Sequence, residues 1–429
     1  MGIIVRERYL QKLIDRKENG MIKVITGIRR CGKSYLLFHL YYDYLLSIGV
    51  KKENIIAIAL DEEENDKYRE PKELSAYIRS KIVNNEQYYV FIDEVQYAIK
   101  KEELKSDSPL PLYGVLNGLL RMRNVDVYVT GSNSKLLSKD VMTEFRGRGD
   151  EVRVYPLTFK EYYGYSGGDK SERFEEYATF GGLPLTLFRK NSEDKTKYLS
   201  DLFKEVYFKD IEERYSIDLP EVLQLLTDDL CSAIGSLTNS SKLAAALKSA
   251  KNVKVDSQTI ATYLEYLEES FLFNQAKRYD VKGKKYFLYP SKYYCTDMGL
   301  RNARLNFRQQ EETHAMENII YNELLARGFS VDVGVVDIVN VGKDGKRHQK
   351  QCEIDFVVNK GMRKYYIQSA LALNTEDKEK TELRPFLETK DFFKKIIVTK
   401  SYMKPWFDDN GIYHVGLYNF LLDESLLES

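Results

Sequence analysis

Apolar runs recur through roughly the first 150 residues, at 21–26, 55–60 (IIAIAL), 88–92 (YYVFI) and 125–130 (VDVYVT). Stretches with helical spacing separate them, among them YLLFHLYYDYLL and the segment from Pro71 to Val83. Near-continuous apolar strands alternating with helices predict a parallel sheet covered on both faces. Such a sheet presents its ligand at the carboxyl ends of its strands. Residues 101–111, KEELKSDSPLP, interrupt the pattern with charge and turn formers and predict an exposed loop. From about residue 170 the period becomes helical. Tyr198, Leu199, Leu202, Phe203, Val206, Tyr207 and Ile211 recur three and four apart, which makes one core-facing stripe.

Further along, PEVLQLLTDDLCSAIG, SSKLAAALK and DSQTIATYLEYLEES predict three helices, the last starting at an Asp or Ser cap. FLFNQAKRYDVKGKKYFLYP predicts two strands around a turn at Lys282 and Gly283. Together, residues 220–298 have the pattern of a helix-turn-helix unit with a wing. One reading lays the third helix in a DNA groove, with Lys277, Arg278, Lys282, Lys284 and Lys285 on phosphates. Against it, that helix carries Glu265, Glu268 and Glu269 and no basic residue. Winged units also contact proteins, so both readings stand. Nearer the end, HAMENIIYNELLARGF predicts an amphipathic helix, EIDFVV and KYYIQSAL a pair of strands, and LNTEDKEKTELRPF a charged, solvated helix.

The length of 429 residues exceeds one ordinary core, so two or three domains are expected. Lys plus Arg (65) balances Asp plus Glu (65), which leaves nucleic-acid contact to local patches and excludes a global electrostatic pull. Cys31, Cys231, Cys295 and Cys352 have neither metal-site spacing nor the density of a disulfide scaffold. His39, His314, His348 and His414 do not cluster, so no zinc site is expected. The 33 tyrosines are spread through core-patterned segments and read as packing. MGIIVRERYLQKLIDRKENG lacks the apolar core of an export signal, and no run nears the ~18 apolar residues of a membrane span. The expectation is a cytoplasmic chain without a membrane partner.

The chemistry is concentrated in TGIRRCGKSYLLF. Gly27, Gly32, Lys33 and Ser34 satisfy GxxxxGK[ST] after a strand and before a helix, the context a phosphate-binding loop requires. The nucleotide-contacting stretch is Gly27, Ile28, Arg29, Arg30, Cys31, Gly32, Lys33, Ser34 and Tyr35. Arg29, Arg30 and Cys31 fill the motif's free positions. Cys31 reads as a small residue in a tight loop, and the arginines as partners for acids such as DEEEND (61–66) or for a docked neighbour. In YYVFIDEVQ, Asp93 and Glu94 end a buried strand. The first is suited to orient Mg²⁺ and the second to polarise the attacking water, a division of labour fit for ATP hydrolysis. Ser132 and Asn133 follow the strand VDVYVT, where a polar side chain reaches either the γ-phosphate or the amides of the next turn. Arg146 and Arg148, in EFRGRGDEVRVYPL, lie on a glycine-loosened loop before another strand and are either phosphate-directed or surface charge.

Phosphate loop, IDEVQ, TGSNS, the RGR before YPLTFKEY, and TFGGLP together resemble the AAA-type ATPases of bacteria and archaea that carry a C-terminal nuclease-like domain. The resemblance implies a multidomain α/β chain: a P-loop ATPase core at 1–165, a helical lid at 166–218, a winged-helix unit at 219–300 and a restriction-endonuclease-like domain at 301–429. It further implies Ser132 or Asn133 as the γ-phosphate sensor, and Arg146 or Arg148 acting on a neighbouring subunit's nucleotide in a homo-oligomer. ATP and Mg²⁺ are the expected cofactors. The nuclease-like fold needs a helix Glu, a strand Asp, then Glu or Gln and a Lys two residues on. Here these positions are Glu317, Asp355, Gln368 and Ala370, so the lysine is missing, and Lys364 is the nearest substitute on that strand. Two unit charges ~4 Å apart at an effective dielectric near 20 interact by roughly 4 kcal/mol. Losing that lysine then costs on the order of a thousandfold in rate, and the domain is expected to have lost cleavage. Three functions follow: an ATP-driven switch or motor acting on DNA or protein, an ATP-regulated nuclease, or a signalling or defence ATPase whose C-terminal modules bind protein.

Overall fold

The computed structural model describes the chain apart from residues 1, 101, 104–107, 133–147, 309–310, 342–346 and 428–429; for 205, 339–341 and 347–349 it describes the backbone alone. Two compact units result. One comprises Met1–Pro156 with Leu183–Leu185 and Glu269–Phe271, and the other comprises the remainder.

The first unit is built on strands β1 (Ile22–Thr26), β2 (Ile55–Ala59), β3 (Tyr88–Asp93), β4 (Val125–Thr130) and β5 (Gly149–Arg153). They form a five-stranded sheet in the order β2-β3-β4-β1-β5, with every pairing parallel. The four apolar runs read from the sequence are its first four strands. Side-chain alternation feeds two cores from each strand. Val90, Ile92, Val127 and Val129 pack with Leu74 and Ile78 of the helix Pro71–Lys81 and with Leu112 and Leu116 of the helix Pro111–Leu120. Phe91 and Tyr128, of opposite parity, meet Tyr41 at ring distances of 5.9 and 4.9 Å. The exposed loop expected over 101–111 ends where Pro111 opens a helix, its missing N–H costing nothing at that first position.

In the second unit the apolar stripe falls where the spacing predicts. The helical run Ser192–Asp201, Leu202–Phe208 and Lys209–Tyr215 buries Leu199, Leu202, Phe203, Tyr207 and Ile211. The three helices that follow are Pro220–Ser232, Ser240–Lys251 and Ser257–Glu269. TFGGLP has a structural explanation here. Asp297 caps the helix Met298–Arg304 and accepts the Gly182 amide at 2.7 Å, and a Cβ on Gly181 would lie 2.1 Å from that carboxylate.

The sequence predicts two strands in the region after the third helix, and there are four: β6 (Phe273–Ala276), β7 (Arg278–Asp280), β8 (Lys285–Tyr286) and β9 (Lys292–Cys295). β6 pairs with β9, and β7 with β8 across the turn at Lys282 and Gly283, whose amides both donate to the Asp280 carboxylate. The hairpin is not a free wing. β7 also pairs, in parallel, with β10 (Ser330–Val341), which makes the hairpin one edge of an eight-stranded sheet. That sheet continues through β11 (Arg347–Lys360), β12 (Arg363–Ala370), β13 (Lys394–Thr399), β14 (Trp406–Phe407) and β15 (Tyr413–Gly416), in the order β14-β15-β13-β12-β11-β10-β7-β8. The helix Glu376–Glu388, expected to be solvated, buries Leu383 and Phe386 against this sheet. Among the described residues no helix is long and apolar enough to cross a membrane.

Candidate nucleotide site

β4 lies between β1 and β3, so the parallel register brings the carboxyl ends of all three to one edge. β1 runs into the loop at Gly27, where φ is 138° and a Cβ would lie 2.1 Å from the Val154 carbonyl oxygen. Cys31 is buried in the same turn, its Sγ 3.4 Å from that carbonyl, and burial pushes its thiol up. This agrees with a small space-filling residue and gives no thiolate character. The loop is tied down from outside the motif. Arg6, itself buried, donates to the Cys31 carbonyl at 2.9 Å and to the Tyr155 carbonyl at 2.7 Å. Lys33 opens a helical run through Ser47, whose first amides face the loop. The Lys33 ammonium donates to the Gly27 and Ile28 carbonyls at 3.0 and 3.2 Å, bridging its own loop.

Ser34 hydrogen-bonds the Asp93 carboxylate, which also accepts from the Thr130 hydroxyl. The same hydroxyl accepts the Glu94 amide at 3.0 Å. Thr130 therefore couples the two carboxylate positions through one oxygen. Burial pushes the Asp93 carboxyl above its ordinary range, while the Thr130 and Ser34 hydroxyls pull the other way. A loop closed by backbone amides, with a hydroxyl already bonded to a buried carboxylate, fits a magnesium nucleotide, because Mg²⁺ takes hard oxygen donors of this kind. Ser34 and Asp93 would hold the ion.

Ser132 is buried at the end of β4, with Arg29 Nε 3.4 Å from its Oγ. One of the two loop arginines is thus directed at Ser132. Arg30 is exposed, at φ 64°, and Tyr35 is also exposed and packs on the His39 ring. Of the acids at 61–66, Asp66 pairs with Arg69. Asn133 and Arg146 lie outside the described residues. Arg148 is exposed, and its carbonyl accepts the amide of Ile22, the first residue of β1. Gly27 follows the last residue of β1, so Arg148 is at the opposite end of the sheet from its own loop. Arg6 and Thr130 carry no motif spacing, and no sequence pattern singles them out.

The second constellation is in the other unit. Glu317, on the helix Glu312–Ala326, and Asp355, on β11, both face one cation, Lys292 of β9. Its Nζ lies 2.9 Å from Glu317, 2.7 Å from Glu353 and 4.0 Å from Asp355. Tyr294 adds a 2.6 Å bond to Glu317. Burial alone would lower the Lys292 ammonium, but Glu317, Asp355 and Glu353 outweigh it and hold it above its ordinary value. Burial and repulsion from Glu317 push the Asp355 carboxyl well up. Gln368 is fully engaged: Oε1 accepts the Asp355 amide at 3.2 Å and Nε2 donates to Glu382 at 2.9 Å. Lys364 is elsewhere, its ammonium 4.9 to 5.2 Å from the ring centroids of Tyr279, Phe393 and Tyr366. The sequence signal for Lys292 was a lysine within a buried strand, KYYC, since such a charge requires a partner.

Comparison with known proteins agrees with the first unit's geometry. Residues 19–163 match the family model described as an AAA domain, and residues 171–311 one described as a domain of unknown function. A Haemophilus influenzae protein described as uncharacterised is 34% identical over 98% of this chain and 99% of its own length. An uncharacterised Methanocaldococcus jannaschii protein is 27% identical over 86% of this chain and 78% of its own. A solved structure described as a Walker-type ATPase of Pyrococcus abyssi aligns with a TM-score of 0.48 and 18% identity, over 71% of this chain and 96% of that one. The chain belongs to the family of the Haemophilus influenzae protein, and its N-terminal unit is an AAA-type P-loop ATPase domain.

Proposed function

We propose that the chain binds Mg-ATP on Gly27–Tyr35, hydrolyses it, and uses the turnover to drive a switch or motor acting on DNA or on a protein partner. The observation that carries this reading is the run of bonds from Ser34 to Asp93, from Asp93 to Thr130 and from Thr130 to the Glu94 amide. Lys33 provides counter-charge for the phosphates, and Ser34 and Asp93 hold Mg²⁺, which when bound neutralises charge on the transferring phosphoryl group. Glu94 accepts the proton of the attacking water. Ser132, with Asn133 next to it in sequence, contacts the γ-phosphate. Arg148, remote from its own loop, acts on the nucleotide of a neighbouring copy, with Arg146 the alternative for that role. This part of the reading requires a homo-oligomer.

The C-terminal modules bind the partner without cutting it. An ATP-regulated nuclease is favoured by one observation, the lysine beside Glu317 and Asp355. Burial weighs against it: Lys292 is 4%, Glu317 7% and both Asp355 and Gln368 8% exposed, which leaves a phosphodiester little of these four side chains to meet. For DNA contact the hairpin is better suited than the third helix, because Lys282, Lys284 and Lys285 are all exposed on it. The test is purified protein with Mg-ATP, with and without duplex or single-stranded DNA, following phosphate release and DNA length together. Phosphate release with DNA of unchanged length is expected. Stimulation by DNA selects DNA as the partner, and its absence selects protein. DNA shortening that disappears in Asp355→Ala would overturn the non-cutting assignment.

A further inference from the structure

Glu94 has left-handed backbone, φ 52°, and leads into the short turn Val95–Ala98. For a non-glycine residue this conformation is uncommon and costly, and it clusters at functional positions. It brings the side chain two residues on, Gln96, back beside Glu94. Gln96 Nε2 donates to Glu94 Oε2 and lies 3.4 Å from the Ser132 hydroxyl, which Arg29 Nε approaches from the phosphate loop at the same distance. The amide's orientation follows from its neighbours, because turning it would set its oxygen against a carboxylate. Oriented this way, Gln96 Oε1 is closed off from solvent and meets no donor among the described residues.

We propose that Gln96 is a positioning residue for hydrolysis. Its N–H groups fix the Glu94 carboxylate relative to Ser132. The oxygen of the attacking water then bonds to the γ-phosphorus as one proton passes to Glu94. The bridging P–O bond breaks with its electron pair leaving on ADP, and inorganic phosphate is released. Ser132 makes the arrangement responsive to the nucleotide, since it touches both Gln96 and the loop's Arg29. The proposal rests on the assignment of Glu94 as the base.

The test is phosphate release and fluorescent-ATP binding for wild type, Gln96→Ala, Gln96→Glu, Glu94→Gln and the double variant Glu94→Gln/Gln96→Ala. Gln96→Ala should lower kcat by about ten- to a hundredfold, the scale of a misplaced reacting group. Nucleotide affinity should stay within about twofold, as for an interaction made only in the transition state. Gln96→Glu, which keeps the side chain's size but removes the donor, should fall similarly, and the double variant should be no slower than Glu94→Gln alone. Wild-type kcat in both Gln96 variants, or losses that multiply in the double variant, would overturn the proposal while leaving Glu94 in place. Normal turnover by Glu94→Gln would overturn the base assignment and this proposal with it.

Discussion

Gly27 has no space for a methyl group, and its backbone is in a region other residues avoid. Gly27→Ala must shift the loop away from Val154 at a cost of roughly 1–3 kcal/mol. Its affinity for fluorescent ATP should therefore drop about tenfold, at about 1.4 kcal/mol per decade. An unchanged dissociation constant would contradict the tight approach. Lys33→Ala should lose tight binding altogether, because the loop's counter-charge is gone. Residues of this kind were legible in the sequence because a phosphate loop is a local device, whose glycines, lysine and serine stand at fixed offsets. Arg6 was not legible: its acceptors are 25 and 149 residues away and are backbone oxygens, which leave no trace in side-chain spacing. Gln96 was in plain view in IDEVQ, but its relevance depends on the sign of φ at Glu94, and the sequence pattern does not encode that sign.

At the scale of elements, Lys292 fastens β9 to the helix Glu312–Ala326 and to β11. Removing one partner from a buried ionic cluster costs roughly 3–5 kcal/mol, so Lys292→Met should melt markedly lower at neutral pH. Adding Glu317→Gln and Asp355→Asn should recover part of the loss, and a single variant that melts like wild type would contradict the fastening role. The same cluster makes a pH prediction. Asp355 is held well above its ordinary range in the fold, so the folded chain keeps a proton that the unfolded chain gives up near pH ~4. Its contribution to stability is complete below that value and is lost as pH rises through the raised one. Asp355→Asn should accordingly lose less melting temperature than wild type between about pH 5 and about pH 8; parallel curves would contradict the shift. The strands themselves were legible as apolar runs. Their partners were less so: β7 joins β10 more than 50 residues later, and a hairpin's own alternation is the same whether its outer edge is free or paired.

In the whole molecule, the AAA domain supplies the nucleotide chemistry, and the second unit carries an acidic cluster neutralised from within. The AAA match over residues 19–163 and the parallel sheet make the ends of β1, β3 and β4 the place to look for a nucleotide. The measurement that bears most directly on hydrolysis there is phosphate release from Mg-ATP by wild type and Glu94→Gln, with nucleotide binding followed on the same preparations. The expected result is turnover by wild type and binding within about twofold in the variant, with kcat lower by on the order of a hundred- to ten-thousandfold, the range of a lost general base. Equal rates in the two proteins, or a wild type that binds no nucleotide, would contradict hydrolysis at this site.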